Sequence, residues 1–79
     1  MKIEVKIFSF LCKLLGKEGN IYQFNMEIKE GMTCNDLLTL LNIPSQAPVI
    51  ILVNGTVVEK KCLLEEDNEV SIMPVVAGG

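Results

Sequence analysis

The stretch Val49-Ile50-Ile51-Leu52-Val53-Asn54-Gly55-Thr56-Val57-Val58 decides how this chain folds. Its first five residues form the longest uninterrupted apolar run and predict a doubly buried central strand. Asn54-Gly55 is a strong hairpin signal, because a type I′ turn needs positive φ at both of its central residues. The residues after the turn should therefore pair back, antiparallel, on the residues before it.

Upstream of the hairpin, two stretches alternate apolar and polar residues with the period of a half-buried strand. Their apolar positions are Ile3, Val5 and Ile7 in the first stretch and Tyr22, Phe24, Met26 and Ile28 in the second. Between them, Leu11 to Gly16 predicts a short helical turn that ends at the glycine. Strands joined this closely are expected to be antiparallel neighbours.

The main helix is predicted to begin after Thr33, whose side chain can cap the free amides. The carboxylate of Asp36 favours the positive end of the helix. Pro44 should end the helix at about Asn42, because the residue before a proline is pushed out of the α region. The apolar stripe of this helix is predicted to consist of Leu37, Leu38, Leu40 and Leu41.

After the hairpin, Leu63-Leu64 is predicted to be a buried tether, Glu65 to Asn68 a polar turn and Val70-Ser71-Ile72 the last strand. The element order is then β, short α, β, α, β, β, β. This order predicts an α+β domain with a single mixed sheet of about five strands, one main helix laid over it and a short first helix.

Composition disfavours several classes of function. The 79 residues suffice for one domain, and 49% of them are hydrophobic, as in a packed globule. No histidine is present and all seven basic residues are lysines. A Ser-His or Cys-His catalytic pair, an imidazole metal site and an arginine clamp for phosphate are therefore impossible within the chain. The net charge of −3 disfavours binding to nucleic acid.

The cysteines and the apolar runs point to a cytoplasmic protein. Cys12, Cys34 and Cys62 include no C-x-x-C pair, which disfavours a zinc or thioredoxin-like site, and an odd number of cysteines fits a reducing compartment. We expect all three to be buried by packing. The longest apolar run is far shorter than the roughly 20 residues that span a bilayer, and the first residues do not resemble a signal peptide.

The last residues, Pro74-Val75-Val76-Ala77-Gly78-Gly79, suggest a functional tail. Proline cannot donate to a ladder, so pairing should weaken at Pro74. Residues 1–74 would then form the domain, and residues 75–79 a flexible tail that reaches at most about 17 Å. Because glycine has no Cβ, the tail could thread a narrow channel and deliver the carboxylate of Gly79 into the active site of another protein. The alternative is an idle, flexible terminus.

Four segments carry a resemblance to a known family, over most of the chain. Residues 7–16 (IFSFLCKLLG) resemble its F-F-A-x-L-R-E-L-L-G opening, and Val53-Asn54-Gly55 resembles its V-N-G hairpin. Residues 67–70 (DNEV) resemble its D-G-D-E-V turn, and residues 73–79 (MPVVAGG) its F-P-P-V-x-G-G end, with Val75 in place of the second proline. The family is that of the MoaD/ThiS ubiquitin-like sulfur carriers, in particular the small subunit of molybdopterin synthase. The fold implied is a ubiquitin-like β-grasp.

This resemblance implies a carrier that is not itself an enzyme and binds no cofactor. An E1-like adenylating enzyme of the MoeB/ThiF kind would use ATP to adenylate the carboxylate of Gly79. A sulfur donor, either a desulfurase or a rhodanese, would then convert it to a thiocarboxylate. The loaded tail would enter a MoaE-like large subunit of molybdopterin synthase, which transfers the sulfur to a pterin precursor of the molybdenum cofactor.

The residues expected to bind these partners are Gly78, Ala77, Val76 and Val75 of the tail, together with Phe8 and Met73. Phe8 is out of phase with the core positions of its strand. The resemblance implies that it lies in the synthase interface, and the alternative is a second small apolar cluster. For Met73 the alternative is strand-end packing. No metal ligands are predicted.

Three other functions remain open at this point. A thiamine-thiazole sulfur carrier has the same tail chemistry, although the helical segment Leu11 to Gly16 favours the molybdopterin side. A ubiquitin-like modifier would join its tail to lysine amines, and a regulatory ubiquitin-fold domain would have an idle tail.

Overall fold

The hairpin has the geometry that its sequence demands. The computed structural model describes residues 1–8, 21–44 and 46–75. In it, Asn54 and Gly55 have φ values of 51° and 84°. Strands β3 (Val49–Val53) and β4 (Thr56–Val58) pair antiparallel across this turn. The predicted hairpin, with positive φ at both central residues, is confirmed.

The described residues form one mixed sheet and one helix. The further elements are β1 (Lys2–Phe8), β2 (Ile21–Glu27), helix α1 (Cys34–Leu40) and β5 (Glu69–Pro74). The sheet order is β2-β1-β5-β3-β4, with β1 and β5 parallel and the other neighbours antiparallel. This arrangement confirms the predicted β-grasp. The predicted short first helix at Leu11 to Gly16 lies outside the described residues.

Helix α1 begins with a reciprocal pair of hydrogen bonds. The Asp36 N–H donates to the Thr33 hydroxyl at 3.2 Å, and the Thr33 N–H donates to the Asp36 carboxylate at 2.9 Å. This capping box satisfies two amides that the helix leaves free. The predicted cap at Thr33 is thus confirmed. The helix ends at Leu40, and Asn42 adopts a left-handed φ of 61° before Pro44.

The hydrophobic core lies between α1 and one face of the sheet. Leu37 and Leu38 of α1 are fully buried, as are Val5 and Ile7 of β1 and Ile72 of β5. The full set of buried apolar side chains is Ile3, Val5, Ile7, Ile28, Cys34, Leu37, Leu38, Ile43, Ile51, Leu64, Val70 and Ile72. The core positions expected from the alternation in β1 are therefore confirmed.

Strand β3 is not buried on both faces, so that prediction is wrong. Ile51 is buried among the core residues, whereas Ile50 is 37% exposed. Successive side chains of a strand point to opposite faces of the sheet. Within the described residues α1 covers one face only, and the apolar residues of β3 that point to the other face remain accessible.

Two further leucines differ from expectation. Leu40 is 54% exposed, because the sheet-facing stripe of a helix spans only about 100°. That stripe contains Leu37, Leu38 and Leu41, and Leu40 lies beside it. Leu63 is 61% exposed while Leu64 is buried, since neighbouring residues of this extended segment point in opposite directions. Only Leu64 acts as the buried tether.

The polar turn before β5 is organised by a buried amide. The Glu65 N–H donates to the Asn68 side-chain oxygen at 2.7 Å, and Asn68 is only 6% exposed. The Asn68 carbonyl accepts a hydrogen bond from the Glu4 N–H at 2.9 Å. The turn between residues 65 and 68 is therefore held against β1, and it positions the start of β5.

Candidate functional site

Strand β5 leads to the C-terminal residues of the chain. Strand β5 lies between β1 and β3, and its last residue, Pro74, is opposite Val49. The Val75 N–H donates to the Pro48 carbonyl at 2.9 Å, so hydrogen bonding to the β3 side continues one residue beyond the strand. Pairing thus extends further than we expected from the proline. Residues 76–79, including Gly78 and Gly79, lie outside the described residues.

Pro74 is compatible with its place in the strand because of the direction of its nitrogen. Backbone N–H groups of successive strand residues point to opposite sides, and the Val75 N–H points towards β3. The nitrogen of Pro74 therefore faces the β1 side, where the described pairing ends at Ile7 and Ile72. A proline at position 75, as in the similar family's pattern, could not donate the hydrogen bond that Val75 donates to Pro48.

The sheet face opposite α1 carries a group of accessible apolar side chains, which we call the apolar face. Its members are Phe8, Ile21, Ile50, Leu52, Val57 and Met73. Cross-strand pairing joins Phe8 to Ile21, Ile50 to Met73 and Leu52 to Val57. Ile21 and Val57 are 56% and 67% exposed, whereas Phe8 and Met73 are half-buried.

Phe8 and Met73 lie at the same end of the sheet. In the parallel pairing of β1 with β5, Ile7 is opposite Ile72, and Phe8 and Met73 are the next residues of their strands. Val75, which is 41% exposed, follows two residues later. Three residues predicted from the sequence to bind partners, Phe8, Met73 and Val75, therefore adjoin the point at which the tail begins.

The other end of the same face is polar. Lys2, Glu4, Asn25, Asp67 and Glu69 line a shallow cleft there, far along the strands from Met73. In residues 1–8, 21–44 and 46–75, no group of three or more histidine, cysteine, aspartate or glutamate side chains could hold a metal ion. The apolar end of the face, next to the tail, is therefore the part that differs from an ordinary solvated sheet surface.

Cys34 and Cys62 are neighbours in a part of the fold outside the apolar face. Cys34, at the start of α1, is buried, and Cys62 is half-buried. Burial, and secondarily the neighbouring Cys62 thiol, raise the pKa of Cys34 to about 11. Burial by packing is confirmed for Cys34 but not for Cys62, which is only half-buried, and Cys12 lies outside the described residues.

Sequence reasoning missed four members of the apolar face, Ile21, Ile50, Leu52 and Val57. Ile50 was expected in a doubly buried strand, and its exposure of 37% follows from its phase relative to Ile51. The register set by the Asn54-Gly55 turn could have identified this phase, because it places Leu52 opposite Val57. What it could not predict is which of the two faces the helix covers.

In the part of the chain that the structure describes, no helix has the length and apolar character needed to cross a membrane.

The model of the ThiS family matches residues 5–79 of this chain. The match includes all five strands from the middle of β1 onwards, helix α1 and the Gly78-Gly79 end. No curated protein sequence matches the chain.

Solved structures share the fold. SAMP1 from Haloferax volcanii superposes with a TM-score of 0.74 at 19% identity, with complete coverage of both chains. A candidate molybdopterin converting factor, subunit 1, from Pyrococcus furiosus gives a TM-score of 0.75 at 23% identity and covers 96% of this chain and 99% of its own. Small archaeal modifier protein 1 from Methanosarcina acetivorans gives 0.63 at 21% identity, with coverage of 99% and 96%.

These structures share the ubiquitin-like β-grasp with this chain, and the family model covers nearly its whole length. The chain belongs to the ThiS family.

Proposed function

We propose that this protein is a cytoplasmic sulfur carrier that acts through the carboxylate of Gly79. An E1-like adenylating enzyme of the MoeB/ThiF kind activates that carboxylate with ATP, and a desulfurase or rhodanese supplies the sulfur. The resulting thiocarboxylate donates sulfur in molybdopterin biosynthesis, with the protein as the small subunit of a synthase whose large subunit is MoaE-like. Membership of the ThiS family, with a match that extends through Gly79, is the observation that carries this proposal.

The chemistry of the tail supports a carrier. A carboxylate is a poor electrophile, but attack on the α-phosphorus of ATP releases pyrophosphate and converts the carboxylate to a mixed anhydride with AMP. A sulfur nucleophile can then displace AMP. The chain has no histidine or arginine to catalyse either step, which supports the assignment of both to partner enzymes.

The position of the apolar face supports docking of those partners. Met73 lies two residues before Val75, and Phe8 is at the same end of the sheet. A partner that covers this end would bury apolar side chains that are now accessible, and it would hold the tail at its first residue. Val76, Ala77, Gly78 and Gly79 would then enter its active site, where the absence of a Cβ in the two glycines keeps the chain narrow.

Adenylation by the activating enzyme tests the proposal. The full chain, a variant that lacks Gly79 and the matched variant Lys29→Ala would each be incubated with the enzyme and ATP, and pyrophosphate release would be measured. Lys29 is exposed and lies outside both the apolar face and the tail. We expect the Gly79 deletion to abolish the reaction and Lys29→Ala to leave it unchanged. Undiminished pyrophosphate release from the deletion variant would refute the proposal.

A second candidate is a protein modifier, which the similarity in fold to archaeal modifier proteins favours. Such a tail would form an amide with a lysine of another protein instead of carrying sulfur. The intact mass of the protein isolated from its own cells distinguishes the two: exchange of one oxygen for sulfur supports the carrier, and a ladder of covalent conjugates supports the modifier.

The sulfur acceptor is the remaining alternative. The fold shared with a candidate molybdopterin converting factor supports a pterin acceptor, whereas a thiazole precursor of thiamine would use the same tail chemistry. Thiocarboxylated protein would be added separately to a MoaE-like subunit with a cyclic pterin and to a thiazole-forming enzyme. We expect product only from the first mixture.

A further inference from the structure

Cys34 and Cys62 are far apart in the sequence and directly opposed in the fold. Thr33 and Leu63 form an isolated antiparallel bridge between the start of α1 and the segment that leads to β5. On one side of the bridge the Cys34 N–H donates to the Cys62 carbonyl at 2.9 Å, and on the other the Leu64 N–H donates to the Met32 carbonyl at 2.9 Å. Cys34 and Cys62 therefore flank this bridge on the same side and are joined by a backbone hydrogen bond.

This geometry suits a covalent bond between the two sulfurs. Residues directly opposed across an antiparallel pair have Cα atoms about 5.5 Å apart and side chains on the same side. Disulfides span Cα separations of about 4.4–6.8 Å. The Cys62 side chain is also close enough to contribute to the raised pKa of Cys34. The sulfurs are thus already neighbours, and the backbone around them is held by hydrogen bonds.

The two thiols differ in access. Cys34 is 1% exposed, and Cys62 is half-buried at the surface of the loop, where its thiol donates to the Leu63 carbonyl at 3.5 Å. A small oxidant can therefore reach Cys62 first, whereas Cys34 can attack the Cys62 sulfur once that sulfur is part of a mixed disulfide.

We propose that Cys34 and Cys62 form a redox-modification site, at which a small disulfide such as oxidised glutathione joins the start of α1 to the segment before β5. The Cys62 thiolate attacks the glutathione disulfide and releases one glutathione thiol. The Cys34 sulfur then attacks Cys62, forms the protein disulfide and releases the second glutathione, while the two cysteine protons pass to the released thiols. Two cysteines are oxidised and one glutathione disulfide is reduced.

The disulfide should stabilise the fold, because it closes a long loop that contains α1 and the β3–β4 hairpin. Closure of a loop of this length lowers the conformational entropy of the unfolded state. For a domain of this size we expect the melting temperature of the oxidised protein to rise by roughly 10 °C or more. The site is separate from the apolar face and the tail, so it does not depend on the proposed sulfur-carrier function.

Peptide mapping of the full chain tests this inference. Trypsin cleaves after Lys6, Lys13, Lys29, Lys60 and Lys61, so that the three cysteines fall in residues 7–13, 30–60 and 62–79. After treatment with oxidised glutathione, the wild-type chain and Cys12→Ser should each lose two hydrogens in mass. Non-reducing digestion should join residues 30–60 to residues 62–79. The Cys62→Ser variant should not form this linkage.

Three outcomes would overturn the inference. These are a linkage that involves residues 7–13, a Cys62–glutathione adduct that persists without closure, and a melting temperature that does not rise when Cys12→Ser is oxidised. Mapping of the wild-type chain does not depend on whether the variants fold.

Discussion

Asn54 and Glu69 exchange two hydrogen bonds between the hairpin turn and the start of β5. The Asn54 N–H donates to the Glu69 carbonyl at 2.8 Å, and the Glu69 N–H donates to the Asn54 side-chain oxygen at 2.8 Å. The same asparagine adopts a φ of 51°, which the turn requires. One residue therefore shapes the hairpin and also positions the strand that leads to the tail.

Replacement of Asn54 should separate these two roles. Asn54→Gly keeps the left-handed φ and loses the side-chain hydrogen bond, at a cost of about 1 kcal/mol. Asn54→Ala loses the bond and adds backbone strain, so its free energy of unfolding should fall by about 2–3 kcal/mol. In thermal or urea unfolding, stability should decrease from the wild type to the glycine variant and again to the alanine variant.

Asn42 provides the control for backbone strain, since it is exposed and has a φ of 61° at the end of α1. The free energy of unfolding of Asn42→Ala should fall only by the cost of a left-handed φ in alanine. This fall should be smaller than that of Asn54→Ala. Equal losses at the two positions would contradict a specific contribution from the bond to Glu69.

The cap of α1 yields a second prediction. Thr33→Ala removes the hydroxyl that accepts from the Asp36 N–H and should lower the free energy of unfolding by about 1 kcal/mol. For a domain of this size that corresponds to a fall of about 4–8 °C in melting temperature. Thr33→Ser retains the hydroxyl and should unfold close to the wild type. A serine variant as unstable as the alanine variant would argue against the cap.

The apolar face should bind the activating enzyme. Met73→Asp puts a charge at the end of the apolar face that adjoins the tail. It should weaken binding at least about tenfold, a change of about 1.4 kcal/mol. The matched variant Gln23→Asp adds the same charge to the same sheet face, at an exposed position on β2. Titration calorimetry with the purified enzyme would compare the two, and melting curves would verify that both variants are folded. Equal affinities would exclude this end of the face from the interface.

The Cys34 thiol predicts how stability depends on alkaline pH. Burial first, and the Cys62 thiol second, raise the pKa of Cys34 from an ordinary value of 9.0 to about 11. The folded state therefore binds more protons than the unfolded state between these values, and stability should fall as the pH rises through that window. The slope is at most about 1.4 kcal/mol per pH unit.

Urea unfolding at several pH values between 8 and 11 would measure this slope. Comparison with Cys34→Ala measures what this thiol contributes, because the substitution removes it and leaves every other titratable residue in place. The alanine variant should be less stable at neutral pH and should have the flatter profile. An identical slope in both would show that another group is responsible.

Several parts of the fold were predictable because neighbouring residues determine them. Asn54-Gly55 demands positive φ twice, and Thr33 and Asp36 satisfy each other across three residues. The alternation of apolar and polar residues in β1 identifies its buried face, whichever element packs against that face. Each of these features depends on backbone conformation and side-chain period within a few residues.

The candidate site likewise has features that the sequence predicts and features that it does not. Gly78-Gly79 and the positions of Phe8 and Met73 were identifiable from the chain, since a motif and a strand phase suffice for them. The exposure of Ile50 and the meeting of Cys34 with Cys62 were not. An apolar run indicates that a strand is hydrophobic, but it contains no information about whether a second layer covers its other face.

The sequence by itself thus determined the strands, the turn and the helix cap, and its last residues led to the proposal for Gly79. Only the tertiary structure decided that β5 lies between β1 and β3, that Val75 donates to Pro48 and that one sheet face remains accessible beside the tail. The physical reason is range: φ preferences and hydrophobic period act over a few residues, whereas strand order and burial depend on pairing between distant segments.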